Sequence, residues 1–594
     1  DMLPLVSDLH ANIMLHELDF FDSLDEGLQV LELAGNYEIK IIVRPNWARY
    51  RWIRAQHSLY SHATDLQFDH QNVIGEWDPE SQAWRSPTEN SEAGWLQKGL
   101  VENYQQGYEW WSGSRNYIAA FRLKVSDNTN HSPAATLYAV GVNQNLEQEY
   151  IRDSLVVFSD DFVSADTYQT FQLEFPVWSH PEPVYDSDYR VFWHGNDALW
   201  IGEMTVYDTL AQNLLYDGDY TSAMLSEIAQ IQQSPGYDNL HSWYLIDEPS
   251  ADQLASVSFV NDLLPGPPYL NFYPNYAQQH QHEAVNYSTY VDLFIDELNL
   301  PVLSFDHYPF GWTNTNVNLP LLIEDLQLYR EKSQATGYPF WYTEQAFIFT
   351  QNGFIDEQRM RMCTFSALAF GAKGIMWWRM KDGMTNPSSD PCFQINEHYY
   401  QVQAVNADIL PIGDDLMELV STQAWSLPWG NIPEGSWLQA VSTDSLVMGE
   451  FEDPLTEEHY LLPVNLRYQD GQSIDVDLTL HMTDSPRLVE DLIAIRDGQD
   501  DGRVESWFLN SGEETFTLYL EPGDGRFLRI REHLQSGDLN LDGEINVQDV
   551  VQMVDMVLED QSFDGYQTWT SDLNLDEVID ILDIVTLVFQ ILDS

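Results

Sequence analysis

From about residue 219 to 409, short apolar runs of strand length alternate with stretches of helical spacing, and that rhythm limits what the chain can fold into. SAMLSEIAQIQQ is helical in spacing and leads into WYLIDE, an apolar run that breaks off on Asp247 and Glu248 and is stopped by Pro249. Helical stretches near 250–264 and 287–297 flank the run YLNFY at 269–273. PVLSFDHY (301–308), LLIEDLQLYREKSQ (321–334), PFWYTE (339–344), a helix from about 356 to 370 and KGIMWW (373–378) continue the series, and a helix near 396–409 ends it. Upstream, ANIMLH (11–16) and IKIIVR (39–44) read as buried strands around a helical DSLDEGLQVLELAG that Gly35 stops. Alternation of this kind predicts a mostly parallel sheet with helices packed against it.

Two stretches break the rhythm. From about 68 to 208 come short alternating runs with no helices between them, such as YIAAFRLKV (117–125), TFQLEFPV (170–177) and ALWIGEMTVY (198–207). They predict a β-sandwich, and a sandwich inside a strand–helix series is an inserted domain. Its strand pattern and the stretch FRLKV…WHGNDALWIGEMTVYD resemble jelly-roll modules of the carbohydrate-binding kind; a scaffold without ligand is the other reading. From about 415 to 532, runs such as SLVMGEFE, YLLPVNLR and ETFTLYL predict a smaller accessory sandwich packed on the parallel domain. The expected layout is a parallel domain over 1–67 and 209–414, an inserted sandwich over 68–208, an accessory sandwich over 415–535 and a last module over 536–594, in keeping with 594 residues being too many for one core.

The charge balance, 94 acids against 26 bases, argues against nucleic acid and against an anionic membrane surface, both of which would repel the chain. No run of 18 apolar residues offers a membrane span. The chain starts at Asp1 without a signal-peptide pattern, so export is inferred from other features. The 20 Trp and 31 Tyr suit stacking on sugar faces and suit β-rich cores equally well. Cys363 and Cys392 could form a disulfide, or Cys363 could be a buried free thiol.

The last sixty residues carry the most specific motif. GDLNLDGEINVQD (537–549) puts Asp538, Asn540, Asp542, the Glu544 carbonyl, Asn546 and Asp549 at positions 1, 3, 5, 7, 9 and 12 of an oxygen-ligand calcium loop, with Gly543 at its sharp turn. A second copy, 34 residues on (572 − 538), repeats it with Asp572, Asn574, Asp576, the Val578 carbonyl, Asp580 and Asp583, and each copy runs into an apolar helix. Position 12 is Asp in both, and no helix precedes the loop. The pattern resembles a dockerin, a small α-helical module of two calcium loop–helix units. That resemblance implies two Ca²⁺ ions, a cohesin-type partner, and an extracellular or cell-surface location. Glu577 replaces glycine at position 6 of the second loop, which predicts weaker binding there.

Acids at the carboxyl ends of strands sit where a β/α barrel places its chemistry. Numbering WYLIDE as strand four makes WYTEQ strand seven and GIMWW strand eight, so that Glu248 and Glu344 end strands four and seven. This resembles the (β/α)8 barrel clan of retaining glycoside hydrolases, near the β-galactosidase-like members and their uncharacterised barrel relatives. The resemblance implies an eight-stranded TIM-type barrel with Glu248 as acid/base and Glu344 as nucleophile, acting on a polysaccharide or oligosaccharide without a catalytic cofactor. Asp247 stands where many clan members have Asn. By the same resemblance Asp306, His307 and Tyr308 end strand six, Trp377, Trp378 and Arg379 end strand eight, Asn275 and Tyr276 follow strand five, and Asn46 and Trp47 follow IKIIVR; all are candidate substrate contacts. Only two strands precede WYLIDE where three are needed, so the missing one lies upstream of Asp1 or within 45–218.

Two other classes are less well supported. His194, His241 and His307 lack the spacing of a metal hydrolase, and no Gly-x-Ser-x-Gly elbow is present. The serious alternative is a non-catalytic carbohydrate-binding, scaffold-associated protein whose barrel has lost its chemistry.

Overall fold

The computed structural model describes residues 3–17, 24–45, 57–60, 73–81, 83–87, 92–102, 115–143, 148–177, 186–218, 221–277, 279–282, 284–311, 318–349, 353–386, 394–469, 471–497, 505–559 and 565–593. Asn46, Trp47 and Cys392 lie outside them. The chain forms two compact units, one of Ile13–Pro301 and one of Asp1–Asn12 with Val302–Ser594.

In the unit Ile13–Pro301, strands β1 (Ile13–Glu17), β2 (Lys40–Arg44), β3 (Leu240–Asp247) and β4 (Pro268–Phe272) run parallel in that order. Ile41, Ile42 and Val43 on β2 and Trp243 to Ile246 on β3 are all buried, as expected of a sheet covered on both faces. Helices α1 (Leu24–Ala34), α2 (Thr221–Gln232), α3 (Leu254–Asn261) and α4 (Tyr287–Glu297) belong to the same unit. α2 buries Met224, Ile228 and Ile231, one stripe at helical spacing.

β2 pairs directly with β3, Val43 opposite Trp243, so no strand lies between them. This corrects the expectation that the stretch 45–218 could hold a further parallel strand at this place. The described parts of that stretch build two antiparallel sheets instead. One orders strands 169–177, 115–125, 199–208, 83–85 and 76–78, with 57–60 also pairing on 199–208; the other orders 94–102, 186–193, 133–143 and 148–158. Their inner faces share a core that includes Phe121, Leu137, Phe175, Tyr189 and Met204. The strand 57–60 extends this sandwich ahead of residue 68, where its start was expected.

In the other unit, β5 (Leu303–Asp306), β6 (Phe340–Gln345) and β7 (Gly374–Trp378) are parallel neighbours, with helices α5 (Leu319–Thr336), α6 (Glu357–Ala369) and α7 (Glu397–Ile409). The described residues therefore contain seven strands of this parallel class, four in one unit and three in the other, where eight were expected. α6 is buried nearly all round because an antiparallel sandwich covers its outer side. A Cβ on Gly449 of that sandwich would sit 2.2 Å from the Ala369 carbonyl, so only glycine allows the approach. Arg330 of α5 adds hydrogen bonds to the Ser421 and Thr422 carbonyls at 3.2 and 2.8 Å. The sandwich is a six-stranded sheet (420–427, 446–452, 459–465, 528–531, 487–491, 506–509) against a three-stranded one (438–441, 474–480, 515–520).

The C-terminal module consists of α8 (Val547–Glu559), α9 (Gly565–Ser571) and α10 (Ile581–Asp593) around buried Leu539, Met553, Met556 and Leu587. The short α9, absent from the sequence reading, packs Tyr566 and Trp569 against Phe508 of the accessory sandwich. Among the described residues no helix is long and apolar enough to cross a membrane.

Candidate active site

The side of each parallel strand that faces the helices can be read from its contacts. In the unit Ile13–Pro301, His16 of β1 reaches the Gly27 carbonyl of α1 at 3.3 Å, and Phe272 of β4 packs on Tyr290 and Phe294 of α4. Strand alternation and the register then place Val43 and Trp243 on the helix side and Arg44 and Asn271 on the opposite side, and a register irregularity between Tyr244 and Ile246 puts Asp247 with its partner Asn271. Asp247 and Asn271 are register partners, with the Asn271 amide 3.5 Å from Asp247 Oδ1. The Arg44 guanidinium lies 5.3 Å from the centroid of the Tyr244 ring.

Glu248 follows at the carboxyl end of β3 with φ of 47°, a left-handed conformation that costs a side-chain-bearing residue about 1–2 kcal/mol. Its surroundings hold it there. The Glu248 N–H donates to the Asn271 carbonyl at 2.8 Å, and Tyr290 Oη donates to the Pro249 carbonyl at 2.7 Å. Ser250 then caps the next turn through the Gln253 side chain. A strained residue fixed at a strand end is where re-aiming a side chain has a use. Glu248 and Asp247 are half-buried. Asn275 and Tyr276, also half-buried, form the centre of a turn closed by Ala277 N–H to the Pro274 carbonyl at 2.9 Å, just past the carboxyl end of β4.

The unit with Val302–Ser594 shows a different disposition. Phe305 of β5 stacks on Tyr329 of α5 at 4.1 Å, His307 Nδ1 meets Asp325 Oδ2 of α5 at 2.7 Å, and Trp377 Nε1 of β7 donates to Asn406 of α7 at 3.0 Å. Those side chains face the helices. Glu344 is the register partner of Trp377 and shares that side: Thr364 of α6 donates its hydroxyl to Glu344 Oε2. Glu344 is fully buried, and its Oε1 has no hydrogen-bond partner among the described residues. Burial pushes its carboxyl well above the ordinary carboxylate range, with the Thr364 hydrogen bond opposing weakly, so the neutral acid is favoured. Burial likewise pushes the neighbouring Cys363 thiol up, and Glu344 adds to the shift.

The side of this unit's strands away from the helices carries Asp306, Thr343, Gln345 and Trp378. Gln345 is buried and accepts the Phe310 N–H at 3.2 Å. Tyr308 packs on Phe349, and Arg379 lies against the rings of Phe347 and Trp378. Of the expected contacts, then, Asp306 and Trp378 share the face away from the helices, while His307, Trp377 and Glu344 are turned to the helices. Arg44, Asn271 and Gln345 also lie on the sides away from the helices of their own units and were not among the expected contacts. Each ends or nearly ends a parallel strand, and that position was the signal available.

In the calcium-type loops both copies take the same backbone path. Leu541 and Leu575 at position 4 have φ of 59° and 61°, and Gly543 and Glu577 at position 6 have 86° and 66°. Asp549 and Asp583 are fully buried and accept the loop amides of Leu539 and Leu573, at 2.8 and 2.9 Å. Asp538 is buried, takes the Gly543 N–H on Oδ2 at 3.0 Å, and leaves Oδ1 without a hydrogen-bond partner among the described residues. An orphaned, buried carboxylate oxygen among oxygen-only donors fits a hard cation. Among the described residues no three acidic, His or Cys side chains are gathered closely enough to form a metal cage as they stand.

No protein-family model matches the chain. No curated protein matches it either. Among solved structures it is similar to a glucosidase from Croceicoccus marinus, at 10% identity and TM-score 0.27 over 54% of this chain and 75% of that one. It is also similar to the N-terminal carbohydrate-binding and xylanase modules of endo-1,4-β-D-xylanase 10B from Clostridium thermocellum, at 9% identity and TM-score 0.23 over 60% of this chain and 95% of that one. An arabinose-bound α-L-arabinofuranosidase is matched at 9% identity and TM-score 0.23 over 81% of this chain and 94% of that one. These likenesses are remote, and the reading that follows rests on the residues.

Proposed function

We propose that the protein is a secreted glycoside hydrolase acting on O-glycosidic bonds of a polysaccharide or oligosaccharide, with Glu248 as its general acid/base. The observation that carries this reading is the placement of Glu248. It is held in a left-handed conformation at the end of a buried parallel strand, next in the chain to Asp247, whose side chain lies with that of Asn271 on the side away from the helices. Hydrolysis needs a second carboxylate to attack the anomeric carbon or to activate water. Two candidates compete for that role. Glu344 has the strand position that the clan resemblance implies, and Asp306 has the face away from the helices. Glu344 as nucleophile must lose its proton and reach the substrate from the helix side, and the mechanism is then retaining. In this reading Asp247, Asn275, Tyr276, Tyr308, Trp378 and Arg379, with Asn46 and Trp47, are substrate contacts, while His307 and Trp377 are held on the helix side by Asp325 and Asn406.

The deciding experiment measures turnover of Glu248→Gln, Glu344→Gln and Asp306→Asn on the polysaccharide or oligosaccharide that the wild type cleaves. Loss in Glu248→Gln together with one of the other two assigns the pair. Near-normal turnover by Glu248→Gln removes the acid assignment. The burial of Glu344 and the presence of Gln345 on the side away from the helices favour one second reading, a carbohydrate-binding protein without turnover. Absence of hydrolysis by the wild type across a broad glycan panel, with binding retained, selects it.

We further propose that the C-terminal module is a dockerin. Ca²⁺ would be held by the side chains of Asp538, Asn540, Asp542 and Asp549 with the Glu544 carbonyl and Asn546, and by Asp572, Asn574, Asp576, Asp580 and Asp583 with the Val578 carbonyl. When bound, the ions tie each loop to the helix that follows it. A cohesin-type partner on an extracellular scaffold or cell surface follows from that proposal.

A further inference from the structure

Within the unit that contains Val302–Ser594, the loop after strand 459–465 of the accessory sandwich meets the segment that follows β5. Phe310, four residues past β5, packs edge-on against Tyr468 at 5.1 Å, and Arg359 in the first turn of α6 lies 4.7 Å over the same ring. Beside this junction is a cleft of about 270 Å³ lined by Leu319 at the start of α5 and by sandwich loop residues. Buried Leu319 and Leu466 are its apolar lining, and Trp429, 39% exposed, presents its indole ring at the cleft. Asp444 and Arg467, joined at 3.3 Å, and Ser445 supply its polar groups.

A sugar ring has the same division of character: an apolar C–H face and a belt of hydroxyls. An indole ring stacks on the former, while a guanidinium donates to hydroxyls and a carboxylate accepts from them. The volume is below the roughly 300 Å³ at which cavities begin to take drug-sized ligands, so the cleft suits one sugar residue of a chain. It contains one carboxylate, Asp444, and one cation, Arg467, already paired, and no acid/base pair of its own. This is a place for holding substrate.

We infer that the cleft of Trp429, Asp444 and Arg467 is a distal glycan subsite, so that the substrate is a chain extending beyond the sugar whose bond is broken. The inference rests on the hydrolase reading for its role in turnover and makes the accessory sandwich a participant in chain-length specificity. Trp429 and Arg467 are positioning residues on this account.

The test compares a disaccharide with the matching hexasaccharide from β-1,4-xylan, cellulose, laminarin or β-1,4-galactan, using whichever series the wild type cleaves. Trp429→Ala in the full chain is expected to lower the hexasaccharide-to-disaccharide ratio of kcat/KM at least tenfold, through KM, and Trp429→Tyr, which keeps a ring, restores most of it. An unchanged ratio overturns the subsite and leaves the hydrolase reading standing. If the wild type cleaves none of the four series, the hydrolase reading fails separately, and native gels containing each polymer decide the cleft. Retardation of the wild type that Trp429→Ala weakens upholds the subsite. Retardation that it leaves unchanged, or no retardation of the wild type by any of the four, overturns it.

Discussion

Glu248 and Glu344 each terminate a parallel strand, yet their surroundings prepare them for opposite states. Glu248 is half-buried and held past its strand by a left-handed backbone, whereas Glu344 is sealed against α6 and prefers its proton. Replacing Glu248 with Gln keeps the shape and removes the proton donor, so turnover is expected to fall by about 10²–10⁴-fold, as loss of a general acid does. A steady-state assay on the cleaved glycan reads this directly. For Glu344 the folded value lies above the unfolded one. Its contribution to stability is therefore fully present below the unfolded value near 4.5 and is lost as pH rises through the raised folded value. Glu344→Gln removes that loss, so the variant should gain on the wild type in melting temperature between pH 5 and pH 8. A constant offset across that range would mean that Glu344 is ionised in the fold. Strand-end acids are legible in sequence because an apolar run that stops on a carboxylate is conspicuous. Which face the acid takes is not legible. In WYTEQ both Glu344 and Gln345 stand at the strand end, and only the register with Trp377 and Trp378 shows which one meets the helices.

Elements were more legible than their assembly. All ten runs of the strand–helix series, from WYLIDE to the helix near 396–409, became strands or helices close to where spacing put them, the strands because burial on both faces leaves a continuous apolar signature. The strand count was not legible. IKIIVR and WYLIDE are nearly two hundred residues apart in sequence and are direct neighbours, with a whole sandwich inserted between them. Two short elements of the accessory and C-terminal regions lend themselves to measurement. Asp491 caps the helix Leu492–Asp497, accepting the N–H groups of Ile493 and Ala494 at 3.1 and 3.2 Å. Burial raises its carboxyl to about 6 against the opposing pull of Arg526. Protonation is thus favoured in the fold, and the stability it contributes, present at low pH, is lost as pH rises through about 6. Urea titrations at pH 5 and pH 8 should show about 1–2 kcal/mol of pH dependence in the wild type that Asp491→Asn lacks. An equal pH dependence in both proteins would contradict the raised value. In the second calcium-type loop, Glu577 occupies the left-handed position that Gly543 fills in the first, at φ of 66°. Glu577→Gly relieves that strain and should stabilise the loop by up to about 1 kcal/mol, read as tighter binding in a calcium titration.

At the scale of the whole molecule, the excess of acids and the small C-terminal core act on the same transition. A net charge of −68 makes every compact part of the chain repel itself. Raising salt from about 0.15 M to about 1 M shortens the screening length from about 8 Å to about 3 Å, so the melting temperature should rise with NaCl. The C-terminal module adds a local form of this problem. Among the described residues its core is a small cluster of Leu539, Met553, Met556 and Leu587, while Val551, Leu558, Phe589 and Leu592 remain exposed on its helices. A core that small does not hold loops of like charge together unaided, and a bound cation supplies both the attraction and the missing folding free energy. With Ca²⁺ present, calorimetry should show the module melting with or above the rest of the chain. With a chelator, α8 and α10 should melt first while the antiparallel sheets persist. Trp569, packed on Phe508, lies at the boundary between the two, and the difference in fluorescence between the wild type and Trp569→Phe isolates its signal from the other tryptophans. Magnesium at the same concentration should restore the transition poorly, because the loop offers a wide oxygen cage in place of a tight octahedron. One transition that is indifferent to calcium would show that this module folds on its apolar contacts alone, and the dockerin proposal would fall with it.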